Sequence, residues 1–116
     1  MQLCLQSVEA AIAHIDAEVI VIDNNSSDDS RLMVEKNFPN IKWIQNTKNL
    51  GFSKANNRAV KQADGEYLCI LNPDTVITED TFLELLQFAS TKQNLGIIGC
   101  QLIDGTGQFL PESKRH

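Results

Sequence analysis

The chain has 116 residues and a formal net charge of −5, with 42% hydrophobic and 22% charged residues. This length supports one domain with one modest core. The acidic balance excludes nucleic acid as a general partner, because there is no basic stripe to neutralise phosphates. No apolar stretch approaches the roughly 20 residues that span a bilayer. Since the N-terminus enters a helical pattern directly, we expect no signal peptide and a cytoplasmic location.

The first half of the chain alternates between helical and strand-like patterns. Apolar residues at helical spacing predict a helix over residues 3–15. The β-branched run over residues 18–22 predicts a strand that is buried on both faces. Acidic residues at 28–29 suit the positive end of a second helix, which we expect to continue to Lys36. A second strand is predicted over residues 41–45.

The second half continues the same alternation. The patterns predict a helix over residues 52–63 and a third strand over 67–71. Thr78 is a suitable N-cap for a helix that runs through Phe88, and residues 96–103 predict the last strand. This order of elements predicts an α/β fold with a mainly parallel sheet flanked by helices.

The most informative segment is the apolar run over 67–71, which ends in Asn72, Pro73 and Asp74. A proline cannot donate to a sheet ladder, so the strand has to end near Asn72. Asp74 then lies just beyond the carboxyl end of a strand, where ligands bind in open α/β sheets. An oxygen ligand there suits Mg²⁺ or Mn²⁺, and such a cation suits a phosphate-bearing substrate.

A second polar cluster follows the first predicted strand, over residues 23–29. Parallel strands would place both clusters along a single rim of the sheet. Asp23 is suited to accept hydrogen bonds from a base N–H or a ribose hydroxyl, and Asn25 and Ser27 are suited to supplement it. The competing interpretation is structural, because Asp, Asn and Ser between a strand and a helix often satisfy orphan backbone N–H groups.

The stretch over residues 46–57 adds a glycine and two adjacent asparagines. Gly51 either lets the backbone approach a ligand, with the following helix N-terminus favouring an anion, or serves as a turn residue. Asn56 and Asn57 lie in the middle of a predicted helix, where asparagine is a mediocre helix former. This placement indicates a polar task for one of them.

The three cysteines are widely spaced and include no CxxC pair, which argues against a zinc site. We predict buried, reduced thiols at Cys4, Cys69 and Cys100.

Three blocks in this order resemble the inverting family 2 glycosyltransferases. They are VIVIDNNSSDDS at 19–30, NLGFSKANNRAV at 49–60 and DGEYLCILNPDTVI at 64–77. The resemblance covers nearly the whole chain and looks most like the branch that includes bacterial rhamnosyltransferases. It implies a nucleotide-diphosphosugar transferase (GT-A) fold, of which residues 1–116 would be a truncated nucleotide-sugar-binding domain. We expect its missing first strand to lie within the sheet, ahead of residue 1 in the chain.

The resemblance also implies roles for individual residues. Asp23 would contact the base or ribose, and Gly51 and Asn57 match the small and amide positions of the nucleotide-sugar pocket. Asp74 would be the last acidic residue of the DxD motif and would bind the metal that bridges the diphosphate. Asn72 replaces the first aspartate of that motif, so it would contribute only a neutral ligand or a hydrogen bond.

The chemistry implied is transfer of a sugar from a nucleoside diphosphate sugar to a hydroxyl of an acceptor glycan or lipid-linked saccharide, with inversion. Inversion needs a carboxylate base, which in this family lies downstream of the last predicted strand. We interpret Asp104 and Glu112 as surface residues, so no catalytic residue is assigned. We expect this chain alone to be catalytically silent, and the full-length protein to work in the cytoplasm or at the inner face of the membrane.

Other interpretations stay open. The chain also fits a noncatalytic nucleotide-binding or regulatory α/β module in which Asp74 merely caps a turn. A receiver-like phosphoacceptor domain is a poorer fit, because no lysine follows a late strand in the expected place. Unpaired strand edges further predict either closure of the sheet or self-association with another copy of the chain.

Overall fold

The computed structural model describes residues 1–101, 103 and 106–108. Its elements are α1 (Gln2–Ala11), β1 (Ile20–Asp23), α2 (Ser30–Asn37), β2 (Lys42–Gln45), α3 (Phe52–Val60) and α4 (Thr81–Ser90). The chain forms two compact units, Met1–Leu83 and Glu84–His116. Within the described ranges, no helix is long and apolar enough to cross a membrane. That residues 1–116 form one partial domain stays a prediction.

The sheet of the first unit is a parallel pair of strands. Ile20 of β1 lies opposite Lys42 of β2, and Asp23 lies opposite Gln45. The α/β class, with parallel strands flanked by helices, is therefore confirmed. Because the strands run in the same direction, their carboxyl ends meet at the same edge of the sheet.

One face of this pair packs against a small apolar core. Leu5 of α1 and Val34 and Phe38 from α2 and its C-cap form the core, and Val21 and Trp43 of the strands pack against it. Burial of side chains of this size contributes about 1.5–3 kcal/mol each. The core thus fixes α1 and α2 against the strand pair.

Helix α3 lies against β1 and begins directly after Gly51. Its buried residue is Ala55, which has 5% of its surface exposed. Since side chains alternate along a strand, Ile22 and Ile44 lie on the face opposite to Val21 and Trp43. The start of α3 lies close to the carboxyl end of β1, because Asn24 Nδ2 donates to the Gly51 carbonyl at 3.3 Å.

The predicted third strand is wrong. Residues 67–71 are irregular, and Tyr67, Leu68 and Ile70 are 51%, 55% and 59% exposed. A strand forms only where a neighbour satisfies its backbone N–H and C=O groups. In the described part of the chain β1 and β2 pair only with each other. The apolar pattern is suited to a sheet, but it does not supply the neighbouring strand.

The predicted last strand is wrong over residues 96–101, which are irregular, with Ile97 95% exposed. Gly96 and Gly99 weaken any strand there, because they supply no side chain to pack. Residue 103 makes an isolated bridge, while residue 102 lies outside the described residues. Asp104 and Glu112 also lie outside them.

Several predicted boundaries shift. Helix α1 ends at Ala11 and α3 ends at Val60, each a few residues earlier than predicted. Helix α4 begins at Thr81, so Thr78 is not its N-cap; instead, the Thr78 Oγ1 donates to Asp80 Oδ1 at 2.7 Å. Strand β1 lies later than predicted and is half-buried, because the sheet formed by the described residues has two strands.

The cysteines divide into two groups. Cys4 is buried as predicted, and burial raises the pKa of its thiol. Cys69 and Cys100 are exposed, so the prediction that they are buried is wrong. Both belong to the segments that do not form strands, and they lose the burial that a sheet would have given them.

Candidate functional site

The carboxyl ends of β1 and β2 carry four polar residues, Asp23, Asn24, Gln45 and Asn46, which we call the polar edge. The Asn46 N–H donates to the Asp23 carbonyl at 2.9 Å and extends the strand pairing by one bond. Asn46 Nδ2 donates to Asn24 Oδ1 at 3.2 Å. The two strand ends are therefore joined through both backbone and side chains.

Asp23 is held by donors on two sides. Ser26 Oγ donates to Oδ1 at 2.6 Å and Gln45 Nε2 donates to Oδ2 at 2.7 Å. Partial burial opposes ionisation, but the hydrogen bonds from Ser26 and Gln45 outweigh it, so the pKa of Asp23 is lowered. Asp23 is thus an ionised acceptor at neutral pH, and it also caps the turn that follows β1.

Asn24 links the end of β1 to the segment that leads into α3. Its Oδ1 accepts from the Leu50 N–H at 2.8 Å, and its Nδ2 donates to Asn49 Oδ1 at 2.8 Å and to the Gly51 carbonyl at 3.3 Å. Only an amide offers donors and an acceptor together in so short a side chain. Asn24 was not among the residues predicted from the sequence.

Asn46 is the buried polar residue of the site, with 1% of its surface exposed. Its Oδ1 accepts a hydrogen bond from Arg58 Nη1, which also donates to the Gln45 carbonyl at 3.3 Å. Sequence reasoning missed Asn46 and Arg58. The available signal was a polar residue directly after an apolar strand, the same signal that selected Asp23.

Gly51 adopts a φ of +82°, which L side chains rarely reach. A Cβ built there would meet no atom within 4 Å, so the backbone conformation and not crowding calls for glycine. Gly51 directly precedes α3, and its N–H donates to Asn49 Oδ1 at 2.9 Å. The turn interpretation has this direct support, while close approach of a ligand stays a prediction.

The other predicted amides are exposed. Asn25 has a φ of +70°, a conformation that asparagine tolerates better than most residues. Asn57 is exposed on α3, whereas Asn56 Nδ2 donates back to the Phe52 carbonyl at 2.9 Å. Of the two adjacent asparagines, Asn57 is therefore the one that remains accessible to a ligand.

Asn72 and Asp74 lie beside the start of α1. Asp74 lines an open cavity together with residues 1–4 and 73–76. Both are exposed, and the Asn72 carbonyl accepts a weak hydrogen bond from Cys4 Sγ at 3.7 Å. The described hydrogen bonds join Asp23 to Gly51 through the polar edge but do not extend to Asp74. Convergence of Asp23 and Asp74 on one ion stays a prediction.

Comparison with known proteins settles the family. The chain matches the description "Glycosyl transferase family 2" over residues 1–115. It belongs to glycosyl transferase family 2. The resemblance carried by its three sequence blocks is thereby confirmed.

Curated proteins similar to this chain come from several bacteria. The minor teichoic acid biosynthesis protein GgaB of Bacillus subtilis is 28% identical over 75% of this chain and 10% of its own length. The O-antigen biosynthesis protein RfbC of Myxococcus xanthus is 27% identical over 93% of this chain and 9% of its own length. The poly(ribitol-phosphate) beta-glucosyltransferase of Bacillus spizizenii is 30% identical over 95% of this chain and 18% of its own length.

The chain therefore spans a fifth or less of the length of these three relatives. No solved structure is significantly similar to it. Family 2 is generally dependent on divalent metals. These relationships place the chain in a family of sugar-transferring enzymes.

Proposed function

We propose that this chain is the donor-binding part of a glycosyltransferase. It would transfer a sugar from a nucleoside diphosphate sugar to an acceptor hydroxyl, with inversion at the anomeric carbon. The observation that carries the proposal is the family 2 match over residues 1–115, joined to a polar edge at the carboxyl ends of two parallel strands. Ligands bind at that end of open α/β sheets.

The names of the relatives favour a role in cell-surface polysaccharide synthesis. Two are named for the biosynthesis of teichoic acid and O-antigen, and a third for glucosylation of poly(ribitol phosphate). We propose an acceptor glycan or lipid-linked saccharide, and a cytoplasmic location at the inner face of the membrane when the acceptor is lipid-linked.

Different described residues would bind different parts of the nucleoside diphosphate sugar. Asp23 would accept a hydrogen bond from the base or ribose, since it is ionised and half-exposed at the strand edge. Asn25 and Asn57 offer exposed amides for the sugar and diphosphate. Gly51 sets the direction in which α3 begins, and the N-terminal end of a helix favours an anion.

A divalent metal fits the remaining residues in one specific way. Within the described residues, no group of three or more His, Cys, Asp or Glu side chains is arranged to hold a metal ion. Asp74 supplies one exposed carboxylate and Asn72 one amide. Because Mg²⁺ is commonly bound by one or two carboxylates plus substrate phosphates, this set suits an ion shared with the donor diphosphate.

When bound, Mg²⁺ or Mn²⁺ would neutralise the charge that develops on the departing diphosphate. Asp74 would hold the ion against the diphosphate, and Asn72 would add a neutral ligand or a hydrogen bond. Asp23 would orient the nucleoside, so that the anomeric carbon faces the acceptor. No described residue is assigned as the base that deprotonates the acceptor hydroxyl.

Titration of the chain with UDP and dTDP, with and without Mn²⁺, tests this function. We expect binding to be strengthened by Mn²⁺, and Asp74→Asn to abolish that enhancement while leaving the metal-free affinity unchanged. Asp16→Asn, an exposed aspartate in the loop before β1, is the matched control and should retain the enhancement. Failure of both nucleotides to bind would contradict the proposal.

A noncatalytic nucleotide-binding module is the second candidate. The hydrogen bonds that Asp23 accepts favour this candidate, because both carboxylate oxygens already accept hydrogen bonds from the protein. Binding of UDP or dTDP that is indifferent to Mn²⁺ and to Asp74→Asn would support this module over the transferase.

We also propose that the exposed segment over residues 67–71 can pair with a second copy of the chain. Three of its apolar side chains are more than half exposed, and its backbone is not part of the sheet. Short exposed segments of high β-propensity tend to pair as strands between chains. Light scattering that shows a strict monomer at high concentration would contradict this proposal.

A further inference from the structure

Gln45 stands between a donor and an acceptor at the end of β2. Its Oε1 accepts from the indole Nε1–H of Trp43 at 3.0 Å, and its Nε2 donates to Asp23 Oδ2 at 2.7 Å. Trp43 and Gln45 are two residues apart on the same strand, so their side chains lie on one face. Asp23 lies directly opposite Gln45 in the strand pairing.

The chemistry of these neighbours fixes the orientation of the Gln45 amide. An indole N–H can only donate, and an ionised carboxylate can only accept. Gln45 must therefore turn its oxygen to Trp43 and its nitrogen to Asp23. Glutamate at this position would oppose the Asp23 carboxylate, and leucine would remove the hydrogen bonds that Gln45 makes to Trp43 and to Asp23.

The same contacts limit what Asp23 has left to offer. An ionised carboxylate has about four lone-pair positions. Ser26 supplies its hydroxyl and its backbone N–H, which lies 3.2 and 3.3 Å from the two oxygens, and Gln45 supplies one amide N–H. Three protein donors therefore leave roughly one acceptor position for a ligand.

We propose that Gln45 is a positioning residue that, with its own amide oriented by Trp43, directs the remaining acceptor position of Asp23 toward the nucleoside of the donor. This inference rests on the proposed function, in which Asp23 contacts the base or ribose. Gln45 does not touch the ligand itself. It acts by fixing the carboxylate plane of Asp23.

Two other charged groups face this arrangement. Asp28 lies in the turn after β1, where its Oδ1 accepts from Ser26 Oγ at 3.3 Å. Arg58 on α3 donates to the Gln45 carbonyl at 3.3 Å. Neither contact involves the Gln45 side chain, so both persist when that side chain is changed.

The test compares UDP and dTDP affinity by calorimetry in the unaltered chain, Gln45→Leu and Gln45→Glu. Gln62→Leu, an exposed glutamine in the turn after α3, is the matched control. We expect Gln45→Leu to bind about tenfold more weakly, as for loss of a hydrogen bond to a charged group, and Gln62→Leu to bind normally. Unaltered affinity in Gln45→Leu would overturn the proposal.

The pH profile of Gln45→Glu separates positioning from a merely structural role. At neutral pH its carboxylate repels Asp23, and we expect the weakest binding of the set. As the pH falls toward the pKa of the glutamate, its protonated carboxyl can donate to Asp23, so affinity relative to the unaltered chain should recover. A loss that is equal at every pH would overturn the proposal, because a packing defect would not respond to this proton.

A ligand-free measurement distinguishes failure of this inference from failure of the proposed function. ¹³C NMR titration of the Asp23 carboxyl should show a higher pKa in Gln45→Leu than in the unaltered chain, because a donor to the ionised form is lost. If neither UDP nor dTDP binds, the proposed function fails and this titration still decides the Gln45 contact. An unchanged Asp23 pKa would overturn the inference.

Discussion

Two apolar segments of this chain have similar hydrophobic patterns but adopt different structures. Residues 20–23 form β1 in parallel pairing with β2, whereas residues 67–71 are irregular and exposed. Both are short apolar runs that end in polar residues suited to a ligand. The difference is the partner: β1 has β2 beside it and α1 and α2 beneath it, as the contacts of Val21 show. An apolar segment becomes a strand only when a neighbouring segment pairs with its backbone.

The comparison also explains the state of the two predicted ligand groups. Asp23 is held by Ser26 and Gln45, so its direction is fixed before any ligand arrives. Asp74 follows the irregular segment over residues 67–71 and lies exposed in a loop. A preorganised group loses less conformational freedom on binding than a mobile side chain does. We therefore expect nucleoside recognition to be prepared in advance and metal recognition to depend on the diphosphate.

The largest expected effect is on the core beneath β1. Phe38→Ala removes a side chain that is 3% exposed, and we expect it to lower the free energy of unfolding by about 3–5 kcal/mol. In so small a domain this loss should abolish cooperative unfolding, as measured by urea denaturation followed by Trp43 fluorescence. Leu32→Ala, at a residue 66% exposed on the neighbouring α2, should stay within about 0.5 kcal/mol of the unaltered chain. Equal effects would contradict the assigned core.

A smaller effect is expected at the polar edge. Asn46→Ala leaves Asn24 and Arg58 without their buried partner, at an expected cost of about 1–3 kcal/mol in the free energy of unfolding. Asn57→Ala is the matched control, because Asn57 is an exposed asparagine of α3. It should leave stability nearly unchanged and, under the proposed function, weaken nucleotide binding. A stable Asn46→Ala variant would show that this network does not join the two strand ends.

The smallest effect on stability is expected in the irregular segment over residues 67–71. Ile70→Lys replaces a side chain that is 59% exposed, so the free energy of unfolding should change by less than about 0.5 kcal/mol. Self-association should nevertheless decrease, because a lysine on an exposed edge opposes strand pairing between chains. Sedimentation velocity over a range of concentrations measures this change. Lys61→Glu, at another exposed position, is the control that alters charge away from the segment and should associate as before.

Prediction from the sequence was most successful where local patterns were sufficient. A capped turn between β1 and α2 and a turn at the glycine before α3 were each one of two interpretations offered, because side-chain capping and a positive φ angle are demands of a few neighbouring residues. It failed at residues 67–71 and 96–101. Their apolar pattern is suited to a sheet, but in the described part of the chain the sheet does not include them. It also missed Asn46 and Arg58, because their contact joins residues 12 positions apart in the sequence and forms only in the folded chain.

The α/β class, the family and the polar character of the strand ends follow from local sequence alone, because periodicity and short motifs involve only neighbouring residues. Which apolar runs form strands and which polar residues contact each other depends on the folded chain. Backbone pairing and the Trp43–Gln45–Asp23 chain of hydrogen bonds depend on register between distant segments. That register is set by the packing of Val21 and Trp43 on the common core, and no local pattern specifies it.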